Sequence, residues 1–123
     1  MMKKALIFLL ISFPFVVFYS CSHNPILPSQ QVSYATDISP IILSSCGKAG
    51  CHDSTGNGDA DPLYNYETVL RRVTPGKPKQ SRLYTSITAT SGEDMMPVAP
   101  NAPLTDRQIK LIFIWIAQGA KNN

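Results

Sequence analysis

The sequence predicts an all-α fold of three to four short helices joined by long loops. Residues 105–119 carry a complete amphipathic helix signature, and no segment of the 123 residues shows sustained strand alternation with hairpin signals. Breakers such as TPGKP at 74–78 keep the intervening segments short.

The last helix is the most fully specified. Thr105 and Gln108 stand at capping-box spacing, with Leu104 and Ile109 placed to form a hydrophobic staple and Pro103 ending the preceding loop. Ile109, Ile112, Phe113 and Ile116 form one stripe, and Gly119 terminates it. Leu111, Ile114 and Trp115 add apolar surface on other faces, so this helix needs cover on more than one side; Trp115 reads as core. Upstream, Asp37 is placed to cap a helix through Ile38, Pro40, Ile41, Ile42 and Leu43 into Cys46. Asp61 and Pro62 mark a start for a helix to about Arg71, and Ser81 a cap for one through Leu83, Tyr84 and Ile87.

A mass of 13.5 kDa allows one domain, and 44% hydrophobic against 15% charged residues argues against global disorder. The first segment, residues 1–20, is an address. Lys3 and Lys4 precede a charge-free run from Ala5 to Ser20, which is short for a membrane span and interrupted by Pro14. Removing the segment leaves nine basic and eight acidic residues, a net charge of +1, and no clustered footprint for nucleic acid. The run ends in FYSC. This resembles the lipobox of bacterial lipoproteins, with Phe18 and Tyr19 in place of the usual leucine and small residue, and implies lipidation of Cys21 and an extracytoplasmic, membrane-tethered protein. Residues 21–35, with Pro25, Pro28 and SQQ, read as a flexible tether in which His23 is a solvated linker residue. Residues 36–123 form the folded domain, small enough to need a disulfide, a metal or a cofactor.

The chemistry lies in CGKAGCH, where Cys46 and Cys51 are separated by four residues and His52 follows directly. A cysteine pair followed by histidine marks covalent c-type haem attachment when the gap is two. Here the cysteines are five positions apart, roughly 140° around a helix axis, so the insertion has to loop out, with Gly47 and Gly50 available for unusual backbone angles. On this motif alone a Cys46–Cys51 disulfide competes evenly. Zinc lacks further ligands, and a thioredoxin-like pair lacks the two-residue gap. Met95, Met96 and Pro97 lie in a proline-rich loop, and Met96 follows His52 by 44 residues, enough chain to return to the opposite face of a haem. The aspartates of DSTGNGDADP do not have calcium-loop spacing. Arg71, Arg72, Lys77, Lys79 and Arg82 form a basic cluster, read as a solvated face or as partners for haem propionates or an acidic redox protein.

The segments SPIILSSCGKAGCHDS, YETVLRRVTPGKPKQSRLYTSIT and MMPVAPNAPLTDRQIKLIFIWIAQGAKNN resemble one class of bacterial monohaem cytochrome c domain, in which some members have a widened cysteine gap. The likeness spans nearly all of 36–123, with Val98 where the family often repeats proline. It implies a small helical domain wrapped around one haem c, thioether links at Cys46 and Cys51, proximal ligation by His52 and distal ligation by Met96, with Met95 the fallback. The implied function is single-electron transfer with redox partner proteins, not catalysis. Two alternatives stay open: a haem subunit or sensor with a labile methionine, and a haem-free binding or structural lipoprotein with a Cys46–Cys51 disulfide.

Overall fold

The computed structural model describes residues 29–55 and 61–123. A π-helical turn, Tyr34–Ile38, runs directly into helix α1 (Ser39–Ser45). Helix α2 (Tyr66–Leu70), a 3-10 turn (Pro78–Gln80), α3 (Arg82–Thr88) and α4 (Asp106–Ala117) follow. The described residues contain no strand, and the fold is all-α, as the sequence predicts.

Helix α4 organises the core. Its predicted capping box forms: the Thr105 amide donates to Gln108 Oε1 at 2.8 Å, and the Gln108 amide donates to Thr105 Oγ1 at 3.3 Å. The helix packs against the π-turn, the 3-10 turn and α3, which supply the cover its extra apolar faces demand. Ile112 and Ile116 are fully buried, as are Ile38 and Ile42 of the first helical segment. Each such side chain contributes about 1.5–3 kcal/mol of transfer free energy. Trp115, 1% exposed, is a core residue; its indole N–H donates to the Lys121 carbonyl at 2.9 Å, which removes the cost of burying that donor. Tyr34 packs at a tilt against Trp115 and edge-to-face against Tyr66, with ring centroids 5.6 and 5.1 Å apart.

Three expected boundaries move. The first helical segment begins before Asp37, because Ser33 caps it: the Ser33 hydroxyl accepts from the Thr36 amide, and Asp37 Oδ2 accepts from the Ser33 amide at 2.8 Å. Helix α2 starts at Tyr66, not at Asp61, because Asn65 and Thr68 form a reciprocal capping box. The tether expected over 21–35 ends before Val32. Val32 and Tyr34 are buried, and their amides donate to Gln118 Oε1 and Asn123 Oδ1, both at 2.9 Å. The Ala35 amide also donates to the Asn123 carbonyl. Residues 21–28, including Cys21 and His23, and the whole of segment 1–20 lie outside the described residues.

Candidate functional site

Helix α1 delivers Cys46. The Cys46 and Gly47 amides both donate to the Ile42 carbonyl, at 2.8 and 2.9 Å, which ends the helix and turns the chain. The four-residue gap loops out as its spacing requires. The Cys51 amide closes a turn on the Lys48 carbonyl, and the His52 amide returns to the Cys46 carbonyl at 3.2 Å. The two glycines do different work. Gly50 has φ +79°, the left-handed region that disfavours side chains, and so plays the expected part. Gly47 instead permits a close approach, because a Cβ there would meet the Leu63 carbonyl oxygen at 3.0 Å.

His52 is oriented by its neighbour across the loop. Its Nδ1 lies 2.7 Å from the backbone carbonyl oxygen of Asp61. A carbonyl only accepts, so Nδ1 carries a proton, and in the neutral ring Nε2 is the nitrogen with the free lone pair. The Leu63 amide donates to the His52 carbonyl at 2.8 Å, so segment 61–63 holds the histidine through both backbone and ring.

The methionine loop is fixed to α3. The Met96 amide donates to the Ser86 carbonyl at 3.0 Å, and Arg82 of α3 pairs with Asp94 at 3.3 Å. These contacts bring Cys46, Cys51, His52 and Met96 onto the wall of one cavity of about 510 Å³. Leu63, Leu83, Ile87, Pro97 and Val98 give it an apolar lining, and Arg72 and Arg82 reach it from the basic cluster. Met95 is half-buried and does not line the cavity; Arg71, Lys77 and Lys79 are exposed and do not reach it. A volume of this size is typical of sites for organic cofactors and ligands.

Both cysteines are unbridged thiols. Cys46 is buried, and desolvation, with a smaller contribution from Cys51, pushes its thiol up to about 11 against the opposing charge of Lys48. Asp53 serves the loop itself, accepting from the Gly50 amide at 3.1 Å and from the Thr55 amide and hydroxyl at 2.9 and 2.6 Å. Asp61 pairs with Arg72 instead of capping α2. Ser81 precedes α3 as predicted, but its hydroxyl donates to the Lys77 carbonyl at 2.9 Å and accepts from the Thr74 amide, closing the TPGKP turn instead of capping the helix.

Two contributors were not singled out from the sequence for this role: the carbonyls of Asp61 and Ser86. Both act through the backbone, where residue identity leaves no signal. Among the described residues no three His, Cys, Asp or Glu side chains are grouped to hold a metal ion, and no helix is long and apolar enough to cross a membrane. Compared with protein-family models, curated proteins and solved structures, the chain matches none.

Proposed function

We propose that this chain is a monohaem c-type cytochrome that carries single electrons outside the cytoplasm, tethered to a membrane through a lipid on Cys21. The observation that carries the reading is the convergence of Cys46, Cys51, His52 and Met96 on one cavity, with His52 Nδ1 committed to the Asp61 carbonyl. The donor set fits the group. An imidazole with a free Nε2 and a thioether form the usual axial pair of such cytochromes, and the two thiols are the groups that add to haem vinyls. The apolar walls suit a macrocycle, and the arginines at the cavity suit its carboxylates.

In this reading Cys46 and Cys51 would hold the haem covalently, His52 and Met96 would hold its iron, and the haem would supply the reversible one-electron change. The polypeptide does the rest. Segment 61–63 fixes the histidine ring, the contact between Met96 and Ser86 fixes the loop carrying the sulfur, and Leu63, Leu83 and Ile87 give the cavity an apolar wall. With His52 and Met96 both serving as ligands, the iron would have no position left for a substrate, which favours electron transfer over catalysis.

Denaturing electrophoresis of the mature, exported protein followed by haem staining tests the proposal, because a thioether-linked haem survives denaturation. A stained band at the chain's mobility is the expected result. An unstained band, with intact mass spectrometry showing no added haem, overturns it in favour of a haem-free lipoprotein.

A further inference from the structure

We infer that Arg72 is a positioning residue for His52, acting through Asp61; the inference rests on the haem reading above. Three contacts form one chain of constraint. His52 Nδ1 lies 2.7 Å from the Asp61 carbonyl oxygen, and the Asp61 carboxylate is paired with the Arg72 guanidinium. The Arg72 backbone is in turn built into the helical frame: its amide donates to the Val69 carbonyl at 3.0 Å, and its carbonyl accepts from the Leu83 amide of α3 at 2.9 Å.

The need for such a grip follows from where residue 61 sits. It lies ahead of α2, which begins at Tyr66, so no helical hydrogen bond holds its carbonyl in place. The Leu63 amide ties down the segment two residues further on. Arg72, whose side chain is 23% exposed while that of Asp61 is 75% exposed, is the better anchored member of the pair. A hydrogen bond from Nδ1–H to a fixed carbonyl orients the imidazole and raises its basicity at Nε2, which favours the ferric state of a bound iron.

The test compares midpoint potentials of the haem-bearing protein and its variants Arg72→Ala, Arg72→Lys and Asp61→Asn. Loosening the grip weakens the histidine's hydrogen bond and raises the potential. Arg72→Ala and Asp61→Asn are therefore expected to shift it in the same upward direction, by up to about tenfold in the ferric–ferrous equilibrium, or about 59 mV for one electron. Arg72→Lys is expected to recover part of the shift.

A direct charge effect predicts something different. Removing a cation lowers the potential and removing an anion raises it, so the two variants would move in opposite directions. Opposite shifts, or no shift in a protein that retains haem, overturn the positioning role and leave the cytochrome reading intact. If Arg72→Ala does not fold, an upward shift in Asp61→Asn accompanied by a weakened His52 ring N–H signal in NMR supports the role, and an unshifted potential there overturns it. A parent protein without covalent haem overturns both.

Discussion

Cys46 should be a poor nucleophile once the domain has folded. It is 9% exposed, and burial moves its thiol from 9.0 to about 11. Only the thiolate reacts, so two units of pKa reduce the reactive fraction at pH 8 by about 100-fold. The clean comparison uses haem-free Cys51→Ser protein, which loses the smaller of the two raising influences and keeps the desolvation. Alkylation by iodoacetamide would be followed in buffer and in urea, with peptide mass mapping to separate Cys46 from Cys21. Folded Cys46 should react more slowly than the unfolded residue by somewhat less than about 100-fold, because the Cys51 contribution is gone and the desolvation remains. A ratio within about threefold would refute the argument, because it would mean the thiol is hydrated in the native state. The same burial has a pH signature. Below pH 9 the thiol is protonated in both states; between 9 and 11 the unfolded chain releases its proton first, so stability falls as pH rises through that window. The full loss is on the order of 3 kcal/mol, read as a lower urea midpoint. On the cytochrome reading, the thioether at Cys46 must then form before the cavity closes around it.

Other outcomes follow from the same contacts. Met96→Ala should leave haem attached, lower the midpoint potential and abolish the ferric methionine charge-transfer band at the red end of the spectrum, whereas Met95→Ala should leave that band in place; the reverse pattern would move the ligand to Met95. Ile116→Ala, at a fully buried position of α4, should cost about 2–5 kcal/mol in urea unfolding. Thr105→Ala removes the hydroxyl that accepts from the Gln108 amide and should cost about 1 kcal/mol, lowering Tm by about 4–8 °C.

The sequence was most legible where the determining contacts are local. Thr105 and Gln108 are three residues apart, and their reciprocal bonds form as the spacing predicts. Asp61 misled for the opposite reason. Its composition suits a helix start, but its carboxylate is taken by Arg72, eleven residues away, and its carbonyl by His52, so the cap passes to Asn65. Ser81 likewise spends its hydroxyl on the preceding turn. Val32 and Tyr34 look like part of a tether until the contact with Asn123, some ninety positions along the chain, is known. At the site, the cysteine–histidine motif stood out by its spacing and Met96 by its proline-rich loop and the family resemblance, whereas the carbonyls that contact this loop and His52 left no signal in the sequence.

Why so small a chain should keep a cavity of about 510 Å³ next to its core is itself informative. Of its apolar lining, Val98 is 52% exposed and Met96 and Pro97 are only half-buried, and a domain of this size has little hydrophobic surplus to spare. An occupant that buries them would therefore stabilise the fold. A dissociable ligand does so only as the logarithm of its concentration over its dissociation constant, and the benefit fades on dilution. A group linked through Cys46 and Cys51 accompanies the unfolded chain as well, so its stabilisation is intramolecular and independent of concentration. On the cytochrome reading, covalent attachment at the C-terminal end of α1 would answer a stability requirement as well as a redox one. On the same reading the cysteine loop would hold the occupant permanently, while the methionine loop is fixed to α3 by the Ser86 carbonyl and the Arg82–Asp94 pair.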